Sequence, residues 1–363
     1  MEPQPNGPVP SGTTEGPRPR RWQRDREPKE GYAAASTPSA PAGRSKDVAG
    51  DPTAGVEADA EEVQVVFDME TGDPDDVLTL LLLAANPRVH LLAVTITPGA
   101  AEQVALVLWI LQELQLPGVR VGAQEWPKNA DKKCMRGKFY DSFGRVPEKV
   151  LRGAGIETAT QVLLECCDAS TTLLTGGPLH NLGAALEIGG FSVGRWVAQG
   201  GFAGDGVVPK HLQMEKFAGR TTCETWNFNG NRPAAHAALA SEAISRKVLV
   251  SKNVCHRVVY DSRLHDAFRD AVQKAQPETT RAAALKLLYQ AMCNYARGEG
   301  KKLHDPLAMA AVVDESVCRF EEVRVYRDTK GWGSALETGT RTWISVDYDD
   351  NKFRQVILGL FPG

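Results

Sequence analysis

The chain has 363 residues, of which 42% are hydrophobic and 24% charged, and its formal net charge is −3. This is the composition of a soluble globular protein with a large core, and the charge supplies no basic face for nucleic acid or an anionic membrane. The longest apolar run, 77–85, is broken by Thr79, ended by Asn86-Pro87 and too short to span a bilayer.

Residues 1–60 hold Pro, Gly, Ser, Ala and charge with almost no aliphatic side chains. Such a segment cannot bury enough apolar surface to offset its ordering entropy, so a disordered tail is expected, followed by one α/β domain over 61–363. No secretory signal is expected, because the N-terminus has no apolar stretch. The run RPRRWQRDR at 18–26 reads as a solvated stretch, with a targeting signal as the alternative. Glu15, Asp25, Glu27 and Glu30 argue against a transit peptide. The seven cysteines form no CxxC pair and are odd in number, which favours free thiols in a reducing, cytoplasmic setting.

From residue 63 the pattern changes. VQVVF at 63–67 predicts a buried strand, followed by an acidic turn and a helix over 76–85. A strand over 89–96, a helix over 102–114 and a strand over 119–123 come next. The alternation returns with a strand over 170–174, a helix over 179–186 and strands over 195–199 and 247–251. A helix is expected over 277–296, where Leu285, Leu288 and Met292 keep helical spacing, and another from His304 to Val313. Residues 319–348 read as antiparallel strands. The expected fold is α/β: an open, mainly parallel mixed sheet, Rossmann-like, with helices on both faces.

The sharpest feature is the turn Asp68-Met69-Glu70-Thr71-Gly72-Asp73-Pro74-Asp75-Asp76, with five carboxylates in nine residues. It follows the first strand, at the edge where open parallel sheets build sites. Carboxylates this crowded repel one another unless a cation or a shared proton offsets their charge. A hard cation such as calcium, which takes carboxylates and carbonyls, suits them. Helix capping and the macrodipole account for Asp75 and Asp76 but not for all five.

The turn resembles the D-x-D-P-G-x-D-D signature of the inosine-uridine-preferring nucleoside hydrolase family. Asp68, Glu70, Gly72, Asp75 and Asp76 match it, with Glu70 in place of Asp and one residue inserted. Three further segments follow in the family's order. Thr175-Gly176-Gly177-Pro178-Leu179-His180-Asn181 is similar to T-G-P-L-T-N, Leu303-His304-Asp305-Pro306 to V-H-D-P, and Glu224-Thr225-Trp226-Asn227 to E-F-N, with Thr225 in the place of the Glu. Taken singly, these segments also fit a glycine-rich turn and caps provided by Asp305 and Asn231. Ala100 stands where the family usually has a ribose-contacting Asn, and the loop around 138–141 lacks its His-Gly pattern.

The resemblance implies a nucleoside hydrolase-type fold and calcium-dependent hydrolysis of an N-ribosidic bond, with a small nucleoside or ribosyl substrate and a possible homo-oligomer. It implies calcium ligands among Asp76, Asp305, Glu70 and a backbone carbonyl at Gly176 or Thr175. Glu70 becomes the expected base and His304 the group facing the leaving base. Asp75, Asn227, Trp226 and Glu224 are expected to contact the substrate. Two other readings stand beside this one: a non-catalytic ribose- or nucleoside-binding protein on the same fold, and a haloacid dehalogenase-like phosphatase with Asp68 as nucleophile.

Overall fold

A computed structural model describes residues 62–132, 134, 140, 143, 151, 155–293, 295–296 and 300–359. The expected tail and most of the 138–141 loop lie outside these residues. The strands are β1 (Val63–Met69), β2 (Val89–Ile96), β3 (Arg120–Ala123), β4 (Glu157–Thr158), β5 (Thr172–Thr175), β6 (Val193–Gln199), β7 (Thr222–Cys223), β8 (Ile244–Val250), β9 (Val259–Tyr260), β10 (Lys301–Lys302), β11 (Cys318–Asp328), β12 (Gly331–Leu336) and β13 (Thr342–Tyr348). An 11-stranded sheet runs in the order β4-β3-β2-β1-β5-β6-β8-β13-β11-β12-β7, and β9 pairs with β10 apart from it. Pairing is parallel from β4 through to β13. It becomes antiparallel where β13 meets β11, β11 meets β12 and β12 meets β7.

The chain steps outward from β1 to β4 and then returns to β5 beside β1. This reversal opens a crevice beyond the carboxyl ends of those two strands, the place where ligands settle on such sheets. Asp68 and Thr175 are register neighbours where the two strands end beside it.

Because side chains alternate along a strand, each interior strand feeds two cores. Val65 and Phe67 of β1, Leu174 of β5 and Val248 of β8 belong to one; Val66, Leu173 and Leu249 belong to the other. The helix Asp75–Ala85 is buried at every position but Ala84 and packs between helices Thr280–Met292 and His304–Val313. An apolar surface all round explains that interior position. The helix expected over 277–296 runs over Thr280–Met292 and starts where the Thr279 hydroxyl accepts from the Ala282 N–H.

Helices Ala159–Cys166, Ser262–Lys274 and Asp350–Ile357 did not stand out in the sequence, and Arg232–Ala240 did so only through its Asn231 cap. Ser262–Lys274 buries only Leu264 and Phe268, a stripe too thin to read without its Asp261 cap. Among the described residues no helix is long and apolar enough to cross a membrane. None of the seven cysteines is joined in a disulfide.

Candidate active site

Five chain segments that are distant in sequence meet at the crevice. The turn after β1 brings Glu70, Asp75 and Asp76; the end of β5 brings Gly176; the start of helix His304–Val313 brings His304 and Asp305. The short helix Trp226–Gly230 adds Trp226 and Asn227, and β6 adds Gln199 at its last residue. Together they line a cavity of about 350 Å³.

Its floor is acidic. One oxygen from each of Asp75, Asp76 and Asp305 lies within 4.8 Å of the others. All three residues are buried. Burial, then Asp305, Glu70 and Asp75, push the Asp76 carboxyl well above the usual carboxylate range. Burial, then Asp75, does the same to Asp305. Asp305 Oδ1 is buried with no hydrogen-bond partner, and such an acceptor costs free energy unless something fills its place.

Gly176 completes the cradle. A Cβ there would stand 2.7 Å from Asp76 Oδ1 and 3.1 Å from Asp305 Cγ, so only glycine lets the end of β5 lie against both carboxylates. An oxygen-only donor set of this charge fits a hard divalent cation. Thr175 is placed differently: it ends β5, outside the cavity lining, and its hydroxyl accepts from Trp196 Nε1 at 3.0 Å.

The two acids that open helix Asp75–Ala85 do not cap it. Asp76 Oδ1 accepts the Glu70 N–H at 3.0 Å. Asp75 Oδ2 accepts the His304 N–H at 3.0 Å and the Asp305 N–H at 3.4 Å, two of the orphan donors at the N-terminus of another helix. Asp75 therefore locks the first turn of the domain to a segment 229 residues further on. Its other oxygen lies 3.4 Å from Lys301 Nζ, which is 2.8 Å from Asp73. Burial works against the Lys301 charge, but Asp75 and Asp73 outweigh it and raise its pKa.

Glu70 is not one of the three acids that come closest together. Its Oε1 accepts from Trp226 Nε1 at 2.9 Å. Burial raises its pKa to about 7; the Trp226 hydrogen bond opposes the rise, and Asp75 and Asp73 add to it. Trp226 is otherwise 75% exposed, an open indole at the mouth. Asn227 Nδ2 lies 2.7 Å from the Gly176 carbonyl, 3.0 Å from the Gln199 carbonyl and 2.8 Å from Gln199 Oε1. Burial lowers the His304 pKa to about 4, with Lys301 adding to that, and its Nδ1 has no partner.

Glu224 does not line the cavity: it is exposed, and its carbonyl accepts from Lys252 Nζ at 2.7 Å. Asp68 is 0% exposed, and its Oδ1 accepts from Thr95 and Asn181, both at 2.7 Å. A nucleophile must reach its substrate, so the phosphatase reading fails on burial. Asp305 makes no cap to its own helix, whereas Asn231 does cap its helix, accepting from Ala234 N–H at 3.2 Å. Ala100 is fully buried, and its N–H donates to Gln103 Oε1. The sequence reading missed Lys301, Gln199 and Asp73. Asp73 was visible as one of the five clustered acids, but nothing local marks the other two.

A carboxylate cradle stands at the switch point of this sheet, with an imidazole and an amide lining the same cavity. The model of the inosine-uridine preferring nucleoside hydrolase family matches residues 65–355, and the chain belongs to that family. An uncharacterized protein of Aquifex aeolicus (strain VF5) is 30% identical over 296 residues, covering 78% of this chain and 94% of the relative. Solved structures share the fold at lower identity. A plant nucleoside hydrolase matches with a TM-score of 0.61 at 17% identity, covering 82% of this chain and 99% of its own. The purine-preferring ribonucleoside hydrolase from Gardnerella vaginalis matches at 0.58 and 19%, covering 82% and 98%.

Proposed function

We propose that the protein uses calcium to hydrolyse the N-glycosidic bond of a ribonucleoside or related ribosyl compound, releasing base and ribose. The observation that carries this reading is the approach of Asp75, Asp76 and Asp305 oxygens to within 4.8 Å around an unpartnered buried Asp305 Oδ1. Asp76, Asp305, Asp75 and the Gly176 carbonyl would hold the ion. Bound there, calcium supplies positive charge that favours a nucleophilic water and holds sugar hydroxyls.

The chain's own residues do the rest. Cleavage passes through an oxocarbenium-like state: the C1′–N bond breaks with its electron pair leaving on the base, and a C1′–O bond to water forms. Glu70 takes the water's proton. A carboxylate whose pKa burial raises is a stronger base than an ordinary one, and such a group contributes roughly 10²–10⁴-fold. Trp226 aims the Glu70 carboxylate. With its amide nitrogen committed to carbonyl oxygens, Asn227 presents Oδ1 to a sugar hydroxyl. His304, neutral at pH 7, hydrogen-bonds the departing base.

A panel of ribosides incubated with purified protein and calcium, read by release of reducing sugar, tests the reading. Turnover that stops on chelation is expected. Turnover that survives chelation overturns the metal assignment. Riboside binding without release of base would make the protein a binder.

A further inference from the structure

Behind His304, just outside the cavity lining, the side chains are basic. The His256 ring packs on the His304 ring with centroids 4.7 Å apart, and Lys216 Nζ lies 2.8 Å from His256 Nδ1. Lys252, at the start of the short helix Lys252–Cys255, reaches the Glu224 carbonyl two residues before Trp226. Lys302 extends from β10 two residues before His304 and pairs there with Val259 of β9.

Among the described residues none of these three lysines forms an ion pair with a carboxylate; Lys216 meets the His256 imidazole and the face of the Phe217 ring, and Lys252 a carbonyl. This separates them from Lys301, which Asp73 and Asp75 neutralise. They also act on one another. Burial first, then Lys302 and Lys252, lowers the Lys216 pKa, and burial, His304 and all three lysines depress that of His256 to about 3. Like charges gathered without a counter-ion repel. The acid of the cavity floor is already committed to Lys301 and to the cradle. An anion at the rim relieves the repulsion.

We infer that Lys216, Lys252 and Lys302, grouped around His256 at the rim of the cavity, bind a negatively charged group on the substrate, so that the preferred substrate is an anionic riboside. This rests on the riboside-hydrolase reading above. The charge has two chemical sources, a carboxylate on the leaving base or a phosphate on the ribose 5′-oxygen. Uridine, orotidine and uridine 5′-monophosphate separate them, because they share the sugar and the pyrimidine ring and differ in where the charge sits.

The experiment measures binding of the three compounds to calcium-loaded full-length protein by calorimetry, at low and high salt, for wild type and for K216M/K302M. Release of base is followed in parallel. Either orotidine or the monophosphate is expected to bind about tenfold more tightly than uridine, as two or three partly exposed charges allow. That margin should shrink with salt and in the double variant. Orotidine in the lead assigns the rim to the base, and the monophosphate in the lead assigns it to the 5′ group. If both anions bind no better than uridine, or the margin persists unchanged in salt and in the variant, the inference falls. Binding with this pattern but without release of base leaves the rim standing and counts against the hydrolase reading alone.

Discussion

Gly176→Ala puts a methyl carbon 2.7 Å from Asp76 Oδ1 and 3.1 Å from Asp305 Cγ. Gly176 is not among the glycines with positive φ, so alanine meets no backbone strain and the effect is steric. Asp76 cannot simply turn aside, because it is buried and Oδ1 is held by the Glu70 N–H at 3.0 Å. Overpacking of this kind costs about 1–3 kcal/mol. If it falls on the cation-bound form, calcium affinity drops roughly 5- to 150-fold at about 1.4 kcal/mol per decade. The assay is calorimetric titration of calcium into metal-stripped wild type, G176A and G118A, with thermal melts of each. Gly118 is the control, exposed and with nothing within 4 Å of an added Cβ. If G176A binds calcium as tightly as wild type, the two carboxylates do not form a cation cradle against the end of β5.

Four further outcomes are expected. Glu70 is held near pKa 7 against an ordinary 4.5, mainly by burial. In metal-free protein its neutral form is therefore favoured in the folded state, and wild type loses stability as pH rises through that interval. E70Q should gain on it by up to about 3 kcal/mol, with the gap flat above, as read from chelated melts at stepped pH. W226F removes the hydrogen bond that opposes the rise in Glu70 pKa, so the acidic limb of the kcat/KM profile should move to higher pH; an unmoved limb removes Glu70 as the base. D305N should raise the melting temperature of chelated protein, by relieving repulsion with Asp75, while calcium no longer adds to it. K301M strips Asp73 and Asp75 of their cation and should destabilise chelated protein toward the lower end of the roughly 3–5 kcal/mol seen for broken buried pairs, because Asp73 is half exposed. Calcium should recover part of that loss in a melt.

Much of the site was legible because its parts are local. An apolar strand running into five acids and then an apolar helix announces a sheet-edge site, and His304-Asp305 at a helix start is a short, strict pattern. The partition of roles among the acids was not legible. Asp75 read as a substrate contact, yet its oxygens hold Lys301 and the N–H groups of His304 and Asp305, and it stands among the three acids that approach one another. Glu224 read as a substrate contact, yet it points to solvent while the next residue, Thr225, is buried.

The alternation of strand and helix, the two-faced burial of the interior strands and the acidic turn were determined by the sequence alone, because period-2 and period-3.6 patterns and charge density act over a few residues. Tertiary structure alone decided which carboxylates come together, that Trp226 bonds Glu70 across 156 positions, and that Lys216, Lys252 and Lys302 gather around His256. Those relations depend on the order of strands in the sheet. The return of the chain from β4 to β5 brings distant segments to one crevice, and no local pattern records which side chains will face each other there.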